Sequence, residues 1–282
     1  MTAMNVVTPV NDTTTNELDT HSLTAQETTD ISYEVETFDN SNDDFDDWLE
    51  DNMTVDSATE SPNIVVSQPI ITERVNPKQL QQEAANTHQT ITSESLDELY
   101  ADIIKGQVYP SIVKLYAYPD SQKRELVELV KKLTSRLIKV KHIQDALTLS
   151  DAAMSKYPTE TELIRTKAMV LINQKQYEEA ASLMKNFTPS FDEHLGYYNT
   201  LAFAEMSLGH FKESIRLYRQ LVDQRPQKSS YWISLALAYE RSDNLNAAFE
   251  SYRHALSLVK PSSSNYDYIL NKKIATQRKM HV

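Results

Sequence analysis

The sequence predicts an all-α protein, in which an array of helical hairpins follows a long, disordered acidic tail. Three observations support this prediction. Residues 1–90 contain 18 acidic residues and only two basic ones. From about residue 120 to 280, apolar residues recur with helical spacing and without strand-like alternation of useful length. Within that region, large and small side chains recur at an interval of 34 residues.

The tail differs from the rest of the chain in charge and composition. Residues 1–90 carry a net charge of −16, whereas the remaining residues carry +4. The tail is also rich in Thr, Asn, Ser and Gln and poor in apolar residues. Such a segment cannot bury enough apolar surface to offset the entropy lost on ordering. We therefore predict that residues 1–92 form a disordered acidic tail with short apolar motifs.

The first apolar motif of the tail spans residues 42–53. Its apolar residues fall at i, i+3, i+4 and i+8, and they are Phe45, Trp48, Leu49 and Met53. A helix would place them on one face, but a helix this short needs a partner surface to be stable. The segment is therefore either a partner-binding motif or a chance cluster in a solvated tail. A second motif, at residues 64–71, is predicted to be extended.

Ordered structure is predicted to begin near Ser95, because Ser95-Leu96-Asp97-Glu98 has the capping-box pattern of a helix start. Gly106 and Pro110 are expected to end this first helix. Residues 93–126 are predicted to form N-terminal capping helices, and residues 263–282 a C-terminal capping helix. Degenerate extra repeats are the alternative for both flanks.

The 34-residue interval defines four units, at residues 127–160, 161–194, 195–228 and 229–262. Aligned pairs in the last two units are Tyr198 with Trp232, Leu201 with Leu235, Ala202 with Ala236, and Tyr218 with Tyr252. Small residues let the two antiparallel helices of a unit approach closely, and large residues fill the space beside them. Trp232 is accordingly predicted to be buried, and Gly209 to form the turn after a first helix.

This pattern of sizes resembles the tetratricopeptide repeat family. The fourth unit carries the resemblance best, at Trp232, Leu235, Ala236, Tyr239, Leu245, Ala248, Tyr252 and Ala255. The third unit matches at Tyr198, Leu201, Ala202, Gly209, Phe211, Tyr218 and Pro226. The first two units are looser, since Lys167 takes an apolar position and Thr134 a small one.

The resemblance implies a concave groove, lined by the first helix of each unit, that binds peptides or helices of partner proteins. The residues at its groove positions are Lys131, Lys132, Lys139, Arg165, Met169, Asn199, Thr200, Phe203, Met206, Ile233 and Leu237. A basic mouth and an apolar floor favour an acidic partner segment with apolar anchors. The tail motif Phe45, Trp48 and Leu49 fits that description, so the tail either docks in the groove in competition with a partner or is a solubilising tether.

The expected function is that of a non-catalytic scaffold, adaptor or chaperone-like protein. The seven His are scattered, Cys is absent, and three Gly make no phosphate-binding loop, so no enzymatic activity, metal or cofactor is predicted. No signal peptide or membrane span is recognisable, which predicts a cytoplasmic protein. A nucleic-acid-associated regulator is the alternative, because basic residues cluster on the first helix of the first unit. The acidic tail would compete with phosphates for that helix.

Overall fold

The computed structural model describes residues 76–85 and 93–281, and all regular structure in these residues is helical. The predicted all-α fold class is therefore confirmed. A short 3-10 turn at Asp120–Gln122 precedes the fourth helix. In chain order the twelve α-helices of the described residues are α1 (Pro77–Ala84), α2 (Ser93–Ile104), α3 (Val108–Ala117), α4 (Lys123–Lys139), α5 (Ile143–Lys156), α6 (Thr161–Asn173), α7 (Tyr177–Lys185), α8 (Leu195–Ser207), α9 (Phe211–Gln224), α10 (Ser229–Arg241), α11 (Leu245–Leu258) and α12 (Ser264–Lys279).

Helices α4 to α11 form four hairpins that correspond to the four predicted units. The pairs are α4 with α5, α6 with α7, α8 with α9, and α10 with α11. The last three hairpins begin at Thr161, Leu195 and Ser229, which are the predicted boundaries. The first hairpin begins earlier, at Lys123, because buried Leu126 extends the apolar face of α4 towards its N-terminus.

Each hairpin turns through the same backbone conformation. Four residues spaced 34 apart have positive φ, namely Lys141 (65°), Lys175 (61°), Gly209 (80°) and Asp243 (61°). In the third hairpin, the N–H of Gly209 donates to the carbonyl of Met206. The following N–H, of His210, donates to the carbonyl of Glu205. A left-handed residue with these two hydrogen bonds satisfies carbonyls that a helix leaves free at its end. The prediction for Gly209 is thus confirmed.

The pair α2 and α3 repeats this turn before the first unit. Gly106 has φ of 86°, and its N–H donates to the carbonyl of Ile103. The N–H of Gln107 then donates to the carbonyl of Asp102. The N-terminal flank is therefore a fifth, degenerate hairpin, in which α2 packs on α4 and α3 packs on α5. Pro110 lies in the first turn of α3, where proline is tolerated, and does not end α2.

Helix α1 lies inside the segment predicted to be a disordered tail. Leu80 and Ala84 are buried, and the helix packs on α3. The side chain of Asn76 caps its start by accepting a hydrogen bond from the N–H of Lys78 at 3.0 Å. The prediction of disorder is therefore wrong for residues 77–84. Residues 1–75, with both tail motifs, lie outside the described residues.

The core is a chain of contacts between neighbouring hairpins, as expected of a solenoid. One apolar cluster joins α1, α2, α3 and the first hairpin, and a second runs through the later hairpins to Ile269 on α12. The small residues Ala236, Ala248 and Ala255 are fully buried, as their positions in the repeat predict. None of the described helices is long and apolar enough to cross a lipid bilayer.

The repeat position that Tyr198 and Trp232 share is only half-buried, so the prediction that Trp232 is buried is wrong. Its indole Nε1 donates to the carbonyl of Pro226 at 2.8 Å. At the equivalent position, the Tyr198 hydroxyl donates to the carbonyl of Pro189 at 2.6 Å. Each side chain therefore holds the loop that precedes its hairpin through this hydrogen bond. The polar group that makes the bond keeps part of the aromatic side chain near the surface.

Candidate partner-binding site

The first helices of the four hairpins form one continuous layer. Helices α4, α6, α8 and α10 pack on one another in succession. Successive second helices, from α5 to α7, α9 and α11, have few direct contacts in the described part of the chain. The array therefore curves with its first helices on the inside. We call the side of this layer that faces away from the second helices the inner face. The eleven predicted groove residues all lie on the four helices of the layer.

The basic end of the inner face lies on α4. Lys132 and Lys139 are exposed on this helix. Lys131 is partly buried and paired, because its Nζ lies 3.0 Å from Oε1 of Glu128 and 3.4 Å from Oε2 of Glu162 on α6. Of the three lysines predicted for the basic mouth, Lys132 and Lys139 are thus the exposed ones.

Arg165 connects the second and third hairpins. Its Nη1 lies 3.2 Å from Oε2 of Glu162, and its Nε donates to Oγ1 of Thr200 at 3.4 Å. The guanidinium fills the space beside Gly196, where an added Cβ would lie 2.8 Å from the Arg165 Cζ. The side chain is 8% exposed. Arg165 and Thr200 were predicted to contribute to the groove separately. They instead form one contact, between α6 and α8.

The predicted apolar floor is closed to solvent. Its residues are less than a tenth exposed, and they are Met169, Asn199, Phe203, Met206, Ile233 and Leu237. The ring of Phe203 meets the ring of Tyr177 edge-on, with centroids 6.5 Å apart. The expectation of an open apolar surface at these positions is therefore wrong.

A buried carboxylate at the end of α8 is a site residue that the sequence analysis did not select. The side chain of Glu205 is 1% exposed. Its Oε1 lies 2.6 Å from Nζ of Lys185 on α7, and its Oε2 lies 2.8 Å from Nδ1 of His210. Glu205 stands one repeat before Tyr239, at a position where the repeat pattern has a large apolar residue. A charged residue at that position was the feature of the sequence that could have identified Glu205. The Glu205 side chain fixes the end of α8 to both neighbouring second helices.

An open depression on helix α9 provides a second surface for comparison. It has a volume of about 650 Å³ and is lined by Phe211, Ile215, Arg216 and Arg219, among others. Arg219 is exposed. Since α9 is a second helix, this depression lies on the opposite side of the array from the inner face.

The chain is a helical-hairpin repeat protein. The family model described as bacterial transcriptional activator domain matches residues 189–261, which span α8 to α11. No curated protein matches the sequence. Among solved structures, MamA MSR-1 is similar at 18% identity and a TM-score of 0.43, over 58% of this chain and 94% of that one. MamA AMB-1 is similar at 16% identity and a TM-score of 0.42, over 59% of this chain and 97% of that one.

Proposed function

We propose that this protein is a non-catalytic scaffold of the tetratricopeptide type, an adaptor or chaperone-like protein of the cytoplasm. Its ligand is a peptide or an amphipathic helix of a partner protein, bound along the inner face. The observation that carries the proposal is the continuous layer of α4, α6, α8 and α10. A single extended or helical segment laid across this layer would contact all four hairpins, which is how a repeat array gains affinity from weak individual contacts.

The charge of the inner face indicates the chemistry of the ligand. Of the eleven predicted groove residues, four are basic and none is acidic, and two of the basic ones, Lys131 and Arg165, are paired with Glu162 of α6. Exposed Lys132 and Lys139 would meet the ligand first, and exposed cations at the edge of a site act mainly on the association rate and on its salt dependence. An acidic segment is therefore the favoured ligand.

The test is to select peptides against the full chain by display and to measure their affinity by calorimetry. We expect the selected sequences to be acidic. The double variant Lys132→Glu/Lys139→Glu should bind the selected peptide roughly tenfold more weakly, because two exposed ion pairs become repulsive contacts. The control Arg219→Glu changes an exposed cation on the opposite side and should leave the affinity unchanged. A loss confined to the control variant would contradict the proposal.

A second candidate is a nucleic-acid-associated regulator, which is favoured by the match to a transcriptional activator domain model at residues 189–261. We expect the full chain not to retard duplex DNA at physiological salt, because the strongly acidic tail competes with phosphates. Retardation that weakens steeply with salt and is lost in Lys132→Glu/Lys139→Glu would support this candidate instead, since counterion release makes phosphate binding salt-dependent. A gel-shift titration at two salt concentrations makes the distinction.

A further inference from the structure

Ile104 and Val140 are exposed apolar side chains at the ends of two neighbouring first helices. Ile104 is 38% exposed and is the last residue of α2, and Val140 is 45% exposed and follows the last residue of α4. The third exposed large apolar side chain of the described residues, Met280, lies at the opposite end of the array. Single apolar residues at a surface are ordinary. Two on adjacent helices form a candidate contact surface.

Contacts between α2 and α4 show how these two helices lie side by side. Helix α2 packs on α4, and Nη1 of Arg136 lies 2.6 Å from Oδ1 of Asp97. Cζ of Arg136 also lies 5.6 Å from the centre of the Tyr100 ring. The two helices run in the same direction, because each is the first helix of its hairpin. Tyr100 of α2 and Arg136 of α4 are therefore at the same height in the layer.

The two apolar side chains lie one helical turn beyond this contact. Ile104 follows Tyr100 by four residues, and Val140 follows Arg136 by four residues. Packed helices are about 8–10 Å apart. One side chain of a ligand can therefore contact both Ile104 and Val140.

The surface around this pair carries exposed lysines. Lys105 follows Ile104, and Lys139 and Lys141 stand on either side of Val140. All three lysines are exposed. We call these five residues the turn-edge patch, because they lie where the first helices of two hairpins end.

The carboxylates nearest to the turn-edge patch have partners within the fold. Oδ2 of Asp102 lies 2.9 Å from Nζ of Lys114 on α3. Oδ2 of Asp145 lies 2.9 Å from Nδ1 of His142. Asp97 is paired with Arg136, as described above. The patch therefore presents an excess of positive charge beside its two apolar side chains.

We propose that the turn-edge patch binds an apolar anchor of an acidic partner segment. One apolar side chain of the segment lies between Ile104 and Val140, and its carboxylates lie beside the three lysines. This inference rests on the proposed function, and it extends the binding surface from α4 to α2. The patch supplies an apolar contact that the closed residues of α8 and α10 cannot supply.

The charge of the patch favours an acidic peptide over two other occupants. In a two-fold contact between copies of the chain, the same lysines would face one another and repel. Met280 does not offer a complementary surface, since Arg278 and Lys279 precede it. A bilayer with anionic headgroups would face a broad surface of a chain whose net charge is −12, and would repel it. A peptide meets only the patch.

Fluorescence anisotropy with the full chain and two labelled peptides tests the apolar contact. One peptide consists of Glu and Ser with a single Leu at its centre, and the other has Ser in place of this Leu. We expect the Leu peptide to bind about three- to tenfold more tightly, because its side chain leaves water. Ile104→Ser/Val140→Ser should remove this preference. The matched control Met280→Ser changes an equally exposed apolar residue at the other end of the array and should keep it.

The lysines of the patch are tested with the same peptides. Lys105→Glu/Lys141→Glu should weaken the binding of both peptides about tenfold and leave the preference for Leu, because the charge is common to the two peptides. Neither lysine belongs to the groove residues predicted from the sequence, so this variant is independent of Lys132→Glu/Lys139→Glu. Unchanged affinity of both peptides in Lys105→Glu/Lys141→Glu would contradict the assignment of the acidic segment to this patch.

The remaining outcomes separate this inference from the proposed function. Equal or undetectable binding of the two peptides by the natural chain overturns the inference, as does a preference for Leu that survives Ile104→Ser/Val140→Ser. If Lys132→Glu/Lys139→Glu still weakens the display-selected peptide in that case, the proposed function stands without the patch. If that variant has no effect either, both fail.

Two further measurements report the other occupants. Co-sedimentation with vesicles of phosphatidylcholine and phosphatidylserine that is lost in Ile104→Ser/Val140→Ser would make a lipid surface the occupant. A dimer in analytical ultracentrifugation that is lost in the same variant would make a second copy the occupant. Either result would overturn the inference, and we expect neither.

Discussion

Replacing Tyr197 by alanine is expected to lower the free energy of unfolding by about 3–5 kcal/mol. The side chain is fully buried, and it lies on α8 within the cluster shared by the last three hairpins. Its hydroxyl donates to the carbonyl of Met184 at 2.6 Å, so it also ties α8 to the end of α7. Truncation leaves a ring-sized cavity between two hairpins. Urea denaturation followed by circular dichroism measures the loss, and a change below about 1 kcal/mol would show that the cavity collapses.

Tyr197→Phe separates the ring from its hydroxyl. The carbonyl of Met184 keeps a second donor, the N–H of Phe187 at 3.1 Å, so it is not left without a partner. We therefore expect this variant to cost only about 0.5–1.5 kcal/mol, the net value of one hydrogen bond. If Tyr197→Phe and Tyr197→Ala lowered the free energy of unfolding equally, the hydroxyl would account for the whole effect. That result would contradict the cavity argument.

The hairpin boundaries were predictable because they depend on periodicity. A recurrence of 34 residues fixes where each turn falls, and the left-handed residues at 141, 175, 209 and 243 keep that interval. The recurrence does not identify which large residue of a unit is buried most deeply. Tyr197 and Tyr231 are also 34 apart and are almost fully buried, whereas Tyr198 and Trp232, which match the family pattern, are half-buried. Both pairs satisfy the same interval, so spacing alone could not choose between them.

The closed inner face could not be predicted from the sequence. The family resemblance places Phe203 and Ile233 at groove positions but carries no information on what covers them. Helix α1 was missed for a related reason. Its eight residues have only Leu80 and Ala84 to bury, which is too little for a local apolar pattern to show against an acidic, polar tail. Burial of Leu80 and Ala84 depends on the contact of α1 with α3, which lies outside those eight residues.

Replacing Glu240 by glutamine is expected to destabilise the C-terminal end of the array by about 1–3 kcal/mol. Glu240 lies on α10, and its side chain is 13% exposed. It accepts a hydrogen bond from the Tyr252 hydroxyl on α11 at 3.0 Å, and its Oε1 lies 2.7 Å from Nζ of Lys279 on α12. One carboxylate thus connects three helices. Hydrogen exchange should show the largest loss of protection in α12, because a terminal helix opens most easily.

Lys279→Ala is the matched control for this cluster. Lys279 is 55% exposed, and a half-exposed ion pair contributes less than about 1 kcal/mol because water screens it. The part-buried carboxylate keeps the Tyr252 hydroxyl and the more distant Nζ of Lys272, at 3.9 Å, in this variant. We therefore expect Lys279→Ala to cost less than Glu240→Gln. The reverse order would show that the exposed cation, and not the carboxylate, holds α12.

The pH dependence of the Glu240 cluster follows from its pKa. Burial raises the pKa of the Glu240 carboxyl, but the hydrogen bonds from Lys279 and Tyr252 and the charge of Lys272 together hold it below its ordinary value of 4.5. A folded-state pKa below the unfolded value adds stability that is complete above pH 4.5 and is lost as pH falls through the folded pKa. The stability difference between the natural chain and Glu240→Gln should therefore be full at pH 7 and shrink below pH 4.5, as measured by urea denaturation across that range. A difference that stays constant on acidification would mean that the ionised carboxylate is not what stabilises these helices.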